Sequence, residues 1–335
     1  MSRSYTIFIT QPIHPAGIEI LKSISNNIII NERGRPLTKE EIKEAIKEVD
    51  AIIVPWATDI IDRDIIYSAR KLKVIGNVGI GYDNIDIKAA TERGIYVTYT
   101  AVHRETVADL AFALMLCVAR KIYLSCKFVK EGKWTIAGDF IPQKFMGQEV
   151  HGKTLGIIGM GGIGYYIAKR AKGFNMEILY HDIIRREDIE KELGVKKVSL
   201  ESLLRNSDFI SINCPLTPTT KYMIGKKEFD MMKRNAILIN TARGPIIDTN
   251  ALYEALKEGK IAGAGLDVTD PEPLPPNHPL LNMDNVVIVP HIGSATEEAR
   301  MKMAISVAED VKRVLNNQLP LNLLNTDVLK VHHLI

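Results

Sequence analysis

An α/β fold of two doubly wound parallel-sheet domains is predicted by three observations. Short apolar segments and helical patterns alternate along nearly the whole chain, the signature of parallel strands joined by crossover helices. The 335 residues exceed what one hydrophobic core ordinarily serves. Near the middle, an apolar run, a glycine cluster and a helical pattern follow one another, which starts a second wound sheet.

From the N-terminus, strands are expected at 5–10, 28–31, 51–55, 73–78 and 95–99, with helices at 15–23, 39–49, 62–68 and 87–93 between them. Thr38 with Glu41 three residues on forms a capping box that fixes the start of the second helix. Residues 105–131 read as one long helical pattern whose first half is apolar nearly all round. Such a helix must be covered on every side by a sheet, a second domain or a second subunit, and it is expected to cross between domains. After a polar loop at 138–148, strands at 155–158, 177–181, 209–214, 236–240, 261–267 and 286–289 alternate with helices that include 165–172, 226–234 and 249–258. The final pattern, 295–315, places Ala299, Met303, Val307, Val311 and Val314 on one face. The tail it leaves is too short for a domain, so this helix is expected to return to the first sheet. The expected domains are therefore 1–101 plus 295–335, and 102–294.

Apolar content of 46% and charge of 25% are those of a soluble globular chain. A net charge of +3 with no run of Lys or Arg gives no basis for nucleic acid or an anionic membrane as partner. Residues 1–10 enter a strand-like alternation with no signal-peptide pattern, and the longest apolar run, 110–119, is about half of the roughly 20 residues a bilayer span needs. Cys117, Cys126 and Cys214 lack metal-ligand or redox spacing, so reduced thiols in a cytoplasmic protein are expected, with no metal.

The glycine cluster is the most informative stretch. Gly159, Gly161 and Gly164 form G-x-G-x-x-G between the apolar run 155–158 and a helical pattern, with Gly162 and Ile163 inside the turn. The first glycine suits a tight turn, the second lets backbone approach a pyrophosphate, and the third lets helix pack on strand. Free amides at the helix start and the helix dipole would face the phosphates. Asp182 ends the next strand about 18 residues later, where a carboxylate accepts the adenosine ribose hydroxyls. This is a Rossmann dinucleotide site, and the acid favours NAD over NADP by repelling a 2′-phosphate. Arg185 and Arg186 keep NADP open, although two solvated surface charges are the plainer reading.

In an open α/β sheet the reactive crevice lies at the carboxyl ends of the strands. Arg243, Glu272 and His291 each fall just past such an end. Taken singly, they read as a surface ion pair, a cap for the proline-stiffened loop 271–279, and a structural histidine. Together they supply what reduction of a 2-oxo acid needs. A cation holds the carboxylate and polarises the ketone, an acid protonates the developing alkoxide, and a carboxylate favours imidazolium.

Longer words around these residues resemble a known family. Asn240-Thr-Ala-Arg-Gly-Pro-Ile-Ile-Asp248, Gly265-Leu-Asp-Val-Thr-Asp-Pro-Glu-Pro-Leu274 and Pro290-His-Ile-Gly-Ser-Ala-Thr296 resemble signatures of the D-isomer-specific 2-hydroxyacid dehydrogenases. Gly79-Ile-Gly-Tyr-Asp-Asn-Ile-Asp86 resembles their substrate loop, and Asn213-Cys-Pro-Leu-Thr-Pro-Thr-Thr220 a cofactor-side motif. The resemblance spans essentially the whole chain and implies a flavodoxin-like substrate domain beside a Rossmann NAD-binding domain. It implies that Arg243 binds substrate, His291 is the acid/base and Glu272 tunes it, with the amides of Ile80 and Gly81 holding the substrate carboxylate. Val107, Ile163, Asp182, Cys214, Thr220, Thr241, Ala242, Asp267 and Gly293 would line the cofactor, and the protein would be a homodimer covering the helix after Arg104.

Departures from the family bear on substrate. Phosphoglycerate dehydrogenases of the family often carry arginine where this chain has Asn77, and its formate dehydrogenases place glutamine where this chain has Glu272. Segments 131–134 and 145–152 look most like glyoxylate and hydroxypyruvate reductases, yet the tryptophan some of those enzymes project into a partner's pocket is Ala137 here. Glyoxylate or hydroxypyruvate is the favoured substrate. A bulkier D-2-hydroxy acid, 3-phosphoglycerate, phosphite, or a role as an NAD-sensing corepressor remain alternatives.

Overall fold

Strands form where the apolar runs can be covered on both faces, and the helices between them carry the strand ends back in parallel. The computed structural model describes residues 5–55, 58–135 and 143–333. The chain divides into two units, Met1–His103 with Ser294–Ile335, and Arg104–Gly293.

The first unit begins with β1 (Thr6–Ile9), α1 (Pro15–Lys22), β2 (Asn27–Ile30), α2 (Lys39–Ala45), β3 (Ala51–Val54), α3 (Arg63–Ser68), β4 (Val74–Asn77), α4 (Ile87–Glu92) and β5 (Tyr96–Thr98). Its sheet is parallel throughout, in the order β2-β1-β3-β4-β5. Local chemistry sets the helix starts: Thr38 and Glu41 close a reciprocal capping box on α2, while Asp62 and Asp86 cap α3 and α4. α2 stops at Ala45, short of the expected end, and gives way to a turn before the buried Val49.

The second unit opens with α5 (Arg104–Ala119) and α6 (Ile122–Lys130). The single long helix expected at 105–131 is therefore two. Lys121 takes φ 51°, a left-handed conformation that no α-helix continues through. Nor does α5 cross between units; it lies wholly in the second. It buries Ala108, Ala111, Leu114, Met115 and Val118 against its own sheet and a neighbouring helix. Then follow β6 (Thr154–Ile158), α7 (Gly162–Gly173), β7 (Glu177–His181), α8 (Glu187–Leu193), β8 (Lys196–Lys197), α9 (Leu200–Asn206), β9 (Phe209–Ile212), α10 (Lys226–Met231), β10 (Ile237–Asn240), α11 (Thr249–Lys257), β11 (Gly263–Leu266) and β12 (Val286–Ile288). The seven strands are parallel in the order β12-β11-β10-β9-β6-β7-β8. Gly263 and Gly265 let α5 lie close on β11, since a Cβ on either would come within 2.7 Å of Val118 Cγ1 or 3.0 Å of Leu114 Cβ. The edge strand β8, two exposed lysines, has no apolar signal by which sequence could announce it.

The chain then returns to the first unit with α12 (Glu297–Leu315) and a short α13 (Val328–Val331). Ala299, Met303, Val307, Val311 and Val314 are all buried on α12, which packs beside α1, β3, β4 and β5. The fit is close. A Cβ on Gly17 would sit 2.7 Å from Ala304 O, and one on Gly76 would sit 2.7 Å from Val307 Cγ2. No helix among the described residues is long and apolar enough to cross a membrane.

Strand order reverses between β1 and β3, and again between β6 and β9, which opens a crevice at those carboxyl ends. At the first reversal lies Asp59, fully buried, with Oδ2 accepting from Thr10 Oγ1 at 2.6 Å and Oδ1 lacking a partner among the described residues. Burial pushes its carboxyl up from the ordinary value, and the Thr10 hydroxyl offsets this only in part. The folded protein thus holds this proton to higher pH than the unfolded chain, so stability falls as pH rises from about 4 through the raised folded value. Asp59→Asn removes that dependence: the melting temperature of the variant minus that of wild type grows between about pH 4 and pH 7. A pH-independent difference in the melting series contradicts the assignment.

Candidate active site

The second unit builds its site from glycine backbone first. Gly159 leaves β6 at φ 94°, and a Cβ there would lie 2.6 Å from Cys214 N, so the turn is pressed against the chain leaving β9 at the switch point. A Cβ on Gly164 would lie 2.3 Å from Gly159 O and 3.2 Å from Ile157 Cγ2, so this glycine seats α7 on β6. Gly161 differs: its Cβ direction meets nothing within 4 Å. Gly162 instead faces the Arg104 side chain. The first amides of α7, including that of Ile163, have no intrahelical acceptor and are open to an anion.

Asp182 ties the next strand end to this loop. Its Oδ2 accepts from Met160 N–H at 2.7 Å and its Oδ1 from Ile184 N–H at 2.9 Å. Both neighbouring arginines are engaged locally. Arg186 forks onto Asp188 at 3.0 and 2.7 Å and donates to Met160 O, while Arg185 pairs with Glu190 at 2.9 Å. Beside them, burial with the negative Asp182 pushes the Cys214 thiol up to about 11, so it stays neutral. Thr220 spends its hydroxyl inside its own turn, donating to Pro215 O and accepting from Thr217 N–H. Thr241 is 9% exposed, and its buried Oγ1 lacks a partner among the described residues. That orphan hydroxyl and the open space over Gly161 both fit a bound dinucleotide.

The ionisable residues stand on loops braced by buried side chains and close backbone contacts. Asn240, fully buried at the end of β10, donates to Arg243 O and accepts from Ala242 N–H, which fixes the turn that presents Arg243. Gly244 presses that turn onto the following loop, since a Cβ would fall 1.9 Å from Thr269 O. The Glu272 loop is also held by Tyr222 and Thr249, whose hydroxyls donate to Asp270 Oδ2 and O at 2.9 and 2.7 Å. His291 has φ 53°, and its Nδ1 lies 2.6 Å from Glu272 Oε1. Asp267 secures this strained turn: its backbone O accepts from His291 N–H, Oδ1 from Ile292 N–H at 2.6 Å and Oδ2 from Gly293 N–H at 2.9 Å. Burial raises the Asp267 carboxyl, while those amides and His291 pull it down. Val107 is buried in the first turn of α5 beside Gly293.

Ile80 and Gly81 follow β4 in the first unit, both half-buried. Ala137 lies outside the described residues.

Residues 112–293 match the family model for the D-isomer specific 2-hydroxyacid dehydrogenase, NAD binding domain. A glyoxylate reductase of Korarchaeum cryptofilum is 48% identical over 97% of this chain and 97% of its own. The chain belongs to this family. Among solved structures, the TT0316 protein of Thermus thermophilus matches with a TM-score of 0.87 at 39% identity, covering 95% of this chain and 99% of that one. A glyoxylate reductase from Paecilomyes thermophila matches with a TM-score of 0.83 at 34% identity, over 96% and 98% of the two chains. This dehydrogenase is thus an oxidoreductase acting on CH–OH, with two parallel-sheet α/β domains and a nicotinamide dinucleotide as cofactor.

The glycines of this dehydrogenase separate two kinds of failure. Gly161→Ala keeps the melting temperature within a few degrees, because its Cβ meets no protein atom, but weakens NADH binding about tenfold or more by filling the phosphate approach. Gly164→Ala lowers the melting temperature itself, since backbone at 2.3 Å cannot yield. Fluorescence titration with NADH beside thermal melts checks both; equal behaviour of the two variants contradicts the division of roles.

Proposed function

We propose that this dehydrogenase reduces a small 2-oxo acid, glyoxylate or hydroxypyruvate, with NADH as the preferred reductant. The observation that carries the reading is the 2.6 Å contact between His291 Nδ1 and Glu272 Oε1. It directs the ring's proton-donating capacity to Nε2, because the carboxylate engages the far nitrogen. When held at the glycine turn of Gly159, Gly161 and Gly164, NADH would supply hydride chemistry at C2 of the substrate. His291 delivers the Nε2 proton to the carbonyl oxygen, and Glu272 holds the ring in the orientation for that transfer. Arg243 pairs with the carboxylate and polarises the ketone through its planar donors. In the first unit, Ile80 and Gly81 are proposed to offer backbone N–H groups to a carboxylate. In the reverse direction, neutral His291 takes the proton as base.

The glyoxylate reductase relatives support the small substrate. The preference for NADH is supported by Asp182 and by the pairing of Arg185 and Arg186 with acids of α8. Val107, Cys214, Thr220, Thr241, Ala242, Asp267 and Gly293 are proposed to border the cofactor. A homodimer is supported by exposed apolar side chains on and beyond α6, namely Ile122, Tyr123, Val129, Trp134 and Met146, next to a cavity of about 270 Å³ that includes Tyr123 and Met146. Three free thiols support a cytoplasmic location.

Initial rates of NADH and NADPH oxidation with glyoxylate, hydroxypyruvate, pyruvate and phenylpyruvate test the reading. Fast turnover of the first two with NADH is expected, and turnover of phenylpyruvate alone would displace it. Arg243→Ala lowers kcat/KM for glyoxylate by about a hundredfold or more while NADH affinity changes by less than about twofold; a normal rate in that variant removes Arg243 from the site. Glu272→Ala lowers kcat for glyoxylate by about tenfold or more while NADH affinity stays within about twofold, because the imidazole loses the acceptor that orients it. An unchanged kcat removes Glu272 from the orienting role.

A further inference from the structure

We propose that Asn77 is a positioning residue for substrate binding: its side-chain amide sets the peptide planes around Ile80 and Gly81, which makes their N–H groups a seat for one carboxylate. The proposal rests on the reading of Ile80 and Gly81 given above. Asn77 closes β4 and is 5% exposed, so its polar atoms must find protein partners. Nδ2 donates to Gly81 O at 2.8 Å and to Gly79 O at 3.2 Å, and Thr100 N–H also donates to Gly79 O at 3.0 Å.

In a trans peptide the C=O and the following N–H point in opposite directions. Holding Gly79 O inward therefore turns Ile80 N–H outward. Holding Gly81 O inward fixes the plane on the other side of the Ile80–Gly81 peptide, so Gly81 N–H has little freedom left. Among the described residues neither of these two amides donates to a protein acceptor. The far end of the loop is pinned separately. Ile85 N–H donates to Tyr82 O at 3.0 Å, Asn84 Nδ2 donates to Asp59 O at 3.0 Å, and Asp86 caps α4 through Ala89 N–H at 2.8 Å. The result is a loop fixed at both ends with two preset donors between, and preset donors bind an anion without the cost of ordering them. Because Asn77 is neutral, the seat offers dipoles rather than a full charge, which matches a monocarboxylate.

Asn77→Leu keeps the size and removes both donors; Asn77→Asp keeps the shape and can only accept. For either variant, the KM for glyoxylate rises about tenfold or more, kcat stays within about threefold, and the Kd for NADH stays within about twofold. Amide hydrogen exchange at Thr100, whose N–H donates to the Gly79 carbonyl that Asn77 also holds, becomes faster while peptides of the second unit are unchanged. An unaltered KM in both variants overturns the proposal, as does a loss of KM, kcat, NADH affinity and melting temperature together, which marks a purely structural role. If Asn77→Leu does not fold, the isosteric Asn77→Asp decides. Wild-type protein that turns over none of the 2-oxo acids sinks the substrate reading and this use of the seat with it. The exchange data then judge the clamp alone, and unchanged exchange at Thr100 overturns that too.

Discussion

The Asp267 carboxylate at the end of β11 is the interaction on which the arrangement of ionisable residues depends. It is 2% exposed, and a carboxylate so placed is costly unless its oxygens are met by donors. Both are met by the backbone of the histidine turn, through Ile292 and Gly293, while its own carbonyl accepts from His291 N–H. These bonds over-determine a turn whose histidine sits at φ 53°, a conformation that a bulky residue keeps only when held there. With the turn fixed, the imidazole meets Glu272 at 2.6 Å, and the pair acquires one orientation.

The same economy recurs wherever two loops must meet. Gly244 admits the Thr269 carbonyl, Gly159 admits the amide of Cys214, and Gly164 admits the carbonyl of Gly159. In each case a side chain is missing because backbone occupies its place. Asp182 adds the polar version, accepting the Met160 amide so that the end of β7 and the glycine loop move as one. Parallel strands leave their carboxyl ends as independent loops, and close backbone packing with a few buried acceptors turns those loops into one rigid rim.

Much of this was legible in advance because it depends on local rules. Alternating apolar runs disclosed the strands, the G-x-G-x-x-G spacing disclosed the turn, and the apolar face 299–314 disclosed the buried side of α12. Sequence periodicity shows one helix at 105–131 because the apolar pattern continues across Lys121, where only backbone conformation breaks it. β8 was invisible because two exposed lysines at a sheet edge bury nothing. The bracing roles of Gly244 and Tyr222 are not legible in sequence because each acts on a loop 25 or more positions away, at Thr269 and Asp270, that the fold brings alongside. Asn240 and Asn77 reach partners two to four positions on, but their bracing requires the burial that the sheet imposes.

The sequence by itself determined the fold class, the cofactor chemistry and the residue types available for hydride-linked acid–base work, since these follow from periodicity and from motifs only a few residues long. Tertiary structure alone decided which groups meet. Glu272 and His291 lie 19 positions apart, on loops following β11 and β12, and only parallel pairing of those strands brings them to hydrogen-bonding distance. Likewise Asn77 can turn the amides of its loop only because β4 ends buried beside β3, where its side chain has no water to bond and takes backbone carbonyls instead.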